Sequence, residues 1–293
     1  MTIRRSHKIY LAEEDPGADL DTGGYVQSVS LLRARVKKSS RYPFSIPVIK
    51  KMGTLTLDPK VTLFVGENGS GKSTLIEAIA VASGFNAEGG SKNFNFSTRN
   101  TESPLHHALQ IKRGVRREKD GFFLRAESLY NVATNIEDLE KEEAGLLNSY
   151  GGVSLHHQSH VESFIALATN RFWGQGLYLL DEPESALSPT HQLALLRLMH
   201  IHVEKKRSQF IVATHSPILM GYPGAMIYHF SNSGIARIAY EDTEHYQVTR
   251  GFLSNREAIL KQLFAAVIKW TYRHLRFIDI RTPLGQTQRP SRI

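Results

Sequence analysis

Apolar residues along this chain fall into two rhythms. Short, nearly unbroken apolar runs occupy Val61–Val65 and Gly176–Leu180, and a third runs from Gln209 to Thr214. Runs of this length predict strands buried on both faces, as in a parallel sheet. A looser alternation near period two predicts a strand over Tyr25–Val36, with short ones at Thr54–Leu57 and Gly121–Arg125. Ala225–Phe230 and Gly234–Tyr240, split by Ser-Asn-Ser, predict a hairpin. Helical spacing covers Lys72–Ser83, Asn135–Leu147, a segment opening at Ser159, Ser188 to about Lys205, and Asn255–Leu275. Ser188-Pro189 is a cap followed by a first-turn proline. Ser159 stands three residues before Glu162, the spacing of a capping box. Gly84–Pro104, rich in Gly, Asn and Ser, reads as a linker or mobile loop. Strands alternating with helices through the middle of the chain predict an α/β fold with helices on the faces of a parallel sheet.

The polar residues that interrupt these runs carry the chemistry. Directly after the first buried strand comes Gly66-Glu67-Asn68-Gly69-Ser70-Gly71-Lys72-Ser73-Thr74, which fits G-x-x-x-x-G-K-[ST]. Glycines let the backbone turn tightly enough for its N–H groups to point inward at phosphate oxygens. The helix that follows sets its positive end against the same charge. In this pattern Lys72 reaches the β- and γ-phosphates and the Ser73 hydroxyl ligates Mg²⁺. The strand Leu177–Leu180 ends in Asp181-Glu182, where one carboxylate can hold Mg²⁺ through water and the next can polarise an attacking water. The strand Phe210–Ala213 ends in Thr214-His215-Ser216, which puts a histidine one strand after the acidic pair.

Composition narrows the class. The 293 residues are 41% hydrophobic and 22% charged, an ordinary globular balance. Without cysteine there are no disulfides and no thiolate metal sites. Met1–Tyr10 lacks the apolar segment of a secretory signal, and no apolar run approaches the ~20 residues of a membrane span. A cytoplasmic location is expected. The formal charge of +8 invites a nucleic-acid reading, but it is unevenly placed. Beyond residue 255, eight Lys/Arg against two Asp/Glu give +6, which leaves +2 for residues 1–255. Arg113, Arg116, Arg117 and Lys119 form a basic run with no aromatic interleaved, so a solvated charged turn is preferred there over base contact. The segment 258–275 mixes apolar residues with Lys and Arg. Packing on the core or on a partner is preferred for it over an anionic membrane surface.

In order and spacing these motifs resemble the ATP-binding-cassette ATPases, and within them the SMC-like soluble group. Asn68-Gly69 inside the phosphate loop, Asp181-Glu182-Pro183, Ser185-Ala186-Leu187 and Thr214-His215-Ser216 carry the likeness across roughly residues 25–250. The chain is similar, more narrowly, to short bacterial ATPases that lack coiled-coil arms, through Phe122–Ser128, Gln158–Ser163 and Glu241–Tyr246.

The resemblance implies a P-loop NTPase of ABC/SMC type: an α/β fold with a mostly parallel central sheet flanked by helices. An N-terminal antiparallel β region and a short helical insertion at about 84–155 complete an ATPase domain at 1–253. A basic helix and tail follow at 254–293. It also implies ATP and Mg²⁺, held by Gly66, Glu67, Asn68, Gly69, Ser70, Gly71, Lys72, Ser73 and Thr74. Glu182 is the implied catalytic carboxylate and His215 the switch histidine that senses the γ-phosphate. Ser73, Asp181 and Glu127 are the implied metal-side residues. Glu127 is the best candidate for the family's usual glutamine, with Gln110 second, and Tyr42 or Phe44 is placed to stack on adenine.

A head-to-tail, ATP-dependent homodimer is expected, with Ser185–Ser188 crossing the interface and the signature segment supplied in trans. That segment departs from the family. Gln158–Glu162 keeps Ser159 and Glu162 but lacks both glycines, and Val161 has a Cβ where close backbone approach favours none. Ser188 stands where the family often has Asp. Three functions follow from the resemblance. One is a soluble ATPase coupling nucleotide state to a partner protein or to DNA, in DNA maintenance or antiviral defence. The others are the energy-coupling subunit of a membrane transporter and a slow nucleotide-gated scaffold for an effector. The altered signature argues against the transporter, and the intact Glu182 argues against a pure scaffold.

Overall fold

Alternate residues of the central strands face opposite ways, and each face has its own core. In the computed structural model, β6 (Gly176–Asp181) sends Leu177 and Leu179 into one apolar cluster and Tyr178 and Leu180 into the other. β7 (Gln209–Ala213) does the same with Ile211 and Ala213 against Phe210 and Val212. Every residue of β6, β7 and β3 (Val61–Gly66) is buried, which accounts for their unbroken apolar runs. The structure describes residues 23–36, 38–92, 103–125, 133–134, 136–138, 140 and 160–275, with 160–162 and 266–275 as backbone.

Six strands form the main sheet in the order β5-β6-β7-β3-β8-β9. β5 (Asp120–Arg125), β6, β7, β3 and β8 (Met226–Ser231) run parallel, and β9 (Gly234–Arg237) closes the edge as an antiparallel hairpin on β8. The hairpin register, Phe230 opposite Ile235 and Ser231 opposite Gly234, follows the Ser-Asn-Ser turn. Helix α2 (Lys72–Ala82) covers one face of this sheet through Leu75, Ile76 and Ile79. The opposite face is covered by α4 (His160–Arg171), through Phe164 and Leu167, and by α5 (Pro189–Lys206), through Leu195, Met199 and Val203. Ser188 caps α5 by accepting the N–H of His191, with Pro189 at the first helical position.

A smaller antiparallel sheet, in the order β2-β1-β4, lies against the α2 face: β1 is Val26–Leu31, β2 is Thr54–Thr56 and β4 is Leu109–Arg113. Its third strand corrects one expectation. Part of the insertion expected to be helical is β4, whose register pairs Gln110 with Ser30 and Ile111 with Val29. The strand was obscured because only alternate residues point inward, and the outward ones are Gln110 and Lys112. Arg113 of the expected basic turn pairs with Glu118 at 2.9 Å and donates to Ser83 O. Short helices α1 (Pro47–Lys51), α3 (Leu105–Ala108) and α6 (Pro217–Met220) fill the connections.

The expected helix over Asn135–Leu147 lies largely outside the described residues. Two compact units divide the chain, residues 1–245 and 246–293. α7 (Glu244–Ser254) begins in the first. The second holds the rest of α7 and α8 (Arg256–Leu275), with Val248, Leu253, Leu263 and Phe264 exposed. Among the described residues no helix is long and apolar enough to cross a membrane.

Candidate functional site at the strand ends

β3, β7 and β6 are neighbours, and their C-terminal ends carry the phosphate loop, the histidine loop and the acidic pair. The ends are stitched by backbone hydrogen bonds: Thr214 N–H donates to Phe64 O at 3.0 Å and Glu182 N–H to Ala213 O at 2.9 Å. Three segments far apart in sequence are thereby fixed side by side, at the edge where open α/β sheets bind ligands.

Gly66, Gly69 and Gly71 all take positive φ, at 144°, 76° and 99°. A Cβ on Gly66 would fall 2.4 Å from Phe230 O, so glycine there is what lets β8 run alongside. The Ser70 N–H donates to Glu67 O, and the Leu75 N–H to Gly71 O starts α2. Lys72 is 3% exposed, and its Nζ donates to Gly66 O and Glu67 O at 2.9 Å each. Burial lowers the pKa of this ammonium, while Glu182, Asp181 and Glu184 pull it back up. A cation enclosed by a loop and attracted to three carboxylates suits a polyphosphate. Ser70 Oγ is buried without a hydrogen-bond partner among the described residues. Ser73 follows Lys72 on the first turn of α2, and Tyr42, exposed, meets the Thr74 hydroxyl at 3.3 Å. Phe44 packs with the core of the α2 face, whereas Tyr42 is exposed beside the loop.

Asp181 ends β6 and is 5% exposed. Its register partner Arg125, at the end of β5, brings Nε to 3.6 Å from Asp181 Oδ2 and donates through Nη1 to Glu77 of α2 at 2.9 Å. Glu182 lies in the left-handed region, at φ 50° and ψ 51°. Its peptide is pinned by the bond to Ala213 and by Ser185, whose N–H and hydroxyl both donate to Glu182 O. A strained acidic residue held this firmly is a feature found at active sites.

Glu184 connects the two loops. Its carboxylate accepts the Thr214 hydroxyl at 2.8 Å and the His215 N–H. Burial raises its pKa, and those hydrogen bonds work against the rise. Gln192 of α5 accepts the Ser216 hydroxyl and donates to Leu187 O, a second tie between the same loops. His215 brings Nε2 to 3.6 Å from Glu182 Oε1, while Nδ1 lies 3.0 Å from His245 Nε2. The His215 pKa is lowered, first by burial and then by Lys72, with Glu182 opposing.

Phosphate loop, Asp181, Glu182 and His215 are therefore together. Gln110 is not with them: it lies on β4, paired with β1 in the small sheet. Glu127, Gln158 and Ser159 lie outside the described residues, and Val161 and Glu162 fall in the first turn of α4. Glu77, Arg125, Glu184 and His245 complete the cluster, and the motifs gave no role to any of them. Arg125 and His245 sat inside segments shared with similar ATPases, which was the only signal for either.

The donors fit a nucleotide-bound magnesium ion. Among the described residues no group of three or more His, Cys, Asp and Glu could form a cage. Mg²⁺ takes one or two protein groups and completes its shell with phosphate and water, and Ser73 and Asp181 supply that kind of set.

Two family models match adjoining stretches of the chain. Residues 48–157 match "AAA domain", and residues 157–221 match "AAA domain, putative AbiEii toxin, Type IV TA system". The tungstate uptake system ATP-binding protein TupC of Campylobacter jejuni is 27% identical over 177 residues, 57% of this chain and 52% of that protein. The match thus spans about half the length of this curated relative. Among solved structures, the SMC head domain from Thermotoga maritima aligns at 18% identity and TM-score 0.39, covering 73% of this chain and 98% of that one. CbiO1 from Clostridium perfringens, part of an ABC transporter complex, aligns at 14% identity and TM-score 0.42, covering 71% and 89%.

Proposed function

We propose that this chain, a P-loop NTPase of the ABC/SMC-like type, binds ATP with Mg²⁺ and hydrolyses it to ADP and phosphate. One observation carries the reading: phosphate loop, acidic pair and histidine sit on three adjacent strand ends that hydrogen-bond to one another. The loop N–H groups and Lys72 hold the β- and γ-phosphates. Ser73 and Asp181 hold the magnesium ion, which when bound neutralises charge on the transferring phosphoryl group. Glu182 orients a water and takes its proton as the water oxygen attacks γ-phosphorus and the bond to the ADP oxygen breaks. His215, beside Glu182, donates toward the γ-phosphate oxygens. Its lowered pKa keeps it a neutral donor near pH 7.

In this reading two copies close head to tail around two ATP molecules, with Ser159 from each reaching the other's nucleotide. Closure and opening act on a partner protein or on DNA in a maintenance or defence role. With valine at 161 where the family's signature has glycine, closure is weak and turnover slow until a partner tightens it. Similarity to a tungstate-uptake ATP-binding protein favours a second reading, the energy subunit of a membrane transporter. Co-purification with a membrane protein from the native host would support it.

The test is ATP hydrolysis by the wild type and Glu182→Gln. The variant is expected to keep ATP affinity and lose at least ~10²-fold in turnover, as for loss of a general base. In sedimentation it is expected to accumulate as an ATP-bound dimer. Unchanged turnover would assign the base to another residue.

A further inference from the structure

His245 is the last residue of the first unit, on the first turn of α7. Its place beside His215 is fixed by the segment that precedes it. Upstream, Tyr240 donates its hydroxyl to Pro217 O at 2.9 Å, two residues beyond His215. Between them Thr243 is 1% exposed and turns its hydroxyl and its N–H back onto Tyr240 O. The 240–245 segment is thereby docked on the histidine loop, and it delivers His245 Nε2 to 3.0 Å from His215 Nδ1 with the rings edge to face.

The protons on this pair follow from what surrounds it. A hydrogen bond between two imidazole nitrogens needs one donor and one acceptor. His215 Nε2 faces Glu182 Oε1 at 3.6 Å, and a carboxylate, like a phosphate oxygen, only accepts. The two do not hydrogen-bond at that distance, but the carboxylate's charge favours the tautomer with the proton on that nitrogen. A neutral His215 then has none on Nδ1, so Nδ1 accepts and His245 Nε2–H donates. The alternative, with Nδ1 protonated, would set a lone pair of His215 against the carboxylate. Both rings are biased toward neutrality. Burial leads in each case, and Lys72 adds to it. The other titratable groups around His245 are Glu244, Glu67 and His229.

We infer that His245 is a positioning residue for the hydrolytic site: its Nε2–H locks His215 in the Nε2–H tautomer and in the orientation that donates to the γ-phosphate. The logic is that of any imidazole whose working nitrogen is set by the hydrogen bond its other nitrogen makes. The inference rests on the reading of His215 as the residue facing the γ-phosphate.

The experiment uses the full chain and two substitutions. His245→Leu removes the donor at similar volume, and His245→Gln restores an amide N–H at about the reach of Nε2. Long-range ¹H–¹⁵N NMR of the histidine rings, with His215 assigned by its loss in His215→Gln, reports the tautomer directly. Wild type and His245→Gln are expected to show His215 as a single Nε2–H form, and His245→Leu a mixture. In ATP turnover, His245→Leu should lower kcat by ~10- to 10²-fold, the usual scale for losing such a partner, with KM for ATP within about 3-fold. His245→Gln should recover most of that loss. A wild-type His215 protonated on Nδ1 would overturn the inference, as would His245→Leu turning over like wild type or His245→Gln remaining as slow as His245→Leu. A wild type with no ATP turnover but with the expected tautomers would sink the hydrolytic reading and leave the histidine pairing standing.

Discussion

Lys72 lies on the floor of the phosphate loop, and its removal is the sharpest test of a single side chain. Lys72→Ala should weaken ATP binding by at least ~10²-fold, the scale of losing two charge-assisted hydrogen bonds. Circular dichroism should stay native, and calorimetric affinity close to wild type would remove the loop from the phosphates. His202 offers a test of stability rather than binding. It is buried edge-on against the stacked rings of Phe172 and Tyr178, and burial together with Lys206 pushes its pKa down to about 4 from the usual 6.5. Above pH 6.5 the ring is neutral folded or unfolded and its contribution is complete. As pH falls from 6.5 through 4 the unfolded chain takes a proton that the folded chain refuses, which costs up to roughly 3 kcal/mol. Urea midpoints should therefore fall more steeply between pH 7 and 4.5 in wild type than in His202→Leu, and parallel curves would contradict this. What the sequence displayed at this scale was local: a nine-residue loop, an acidic doublet, a histidine after a strand. Arg125 touches a side chain 48 residues away, and Glu184 and His245 each meet the histidine loop from about 30. No window along the chain contains both members of such a pair.

At the level of elements, Gln209 joins the two sheets. Its side chain accepts the Val26 N–H and donates to Val26 O and Asp58 O, at 2.8 to 2.9 Å. Gln209→Ala would leave the Val26 N–H and carbonyl of the small sheet, and the Asp58 carbonyl in the β2–β3 connection, without those partners. A loss of about 2–4 kcal/mol is expected in denaturant unfolding. A loss under ~0.5 kcal/mol would mean that apolar packing alone holds the sheets together. The strands buried on both faces were legible because burial leaves an unbroken apolar run, and β1, β2 and the β8–β9 hairpin were legible through alternation and turn residues. β4 was hidden by its polar outward positions, and Gln209 by its place at the polar start of such a run. The strand-loop-helix around Gly66 was legible because glycine, lysine and helix onset are all dictated by one short stretch of backbone.

Charge belongs to the scale of the whole molecule. With +6 of the +8 beyond residue 255, changing Arg273, Arg276, Arg281 and Arg289 to Gln should remove most nonspecific duplex-DNA affinity and flatten its dependence on salt. A steep salt slope in that variant would place the basic surface elsewhere. The sheet order has a further consequence, for how the protein is made. β3 pairs with β7 and β8, strands that begin some 150 residues later in the chain. At about 5–20 residues per second, roughly 10–30 s separate their emergence from the ribosome. Through that interval a strand whose every residue is buried in the finished fold has neither neighbour, which exposes it to chaperones and to aggregation. A nascent chain stopped before β7 would carry the entire phosphate-loop motif without the strands that shape it. The nucleotide site comes into being only in the final third of synthesis.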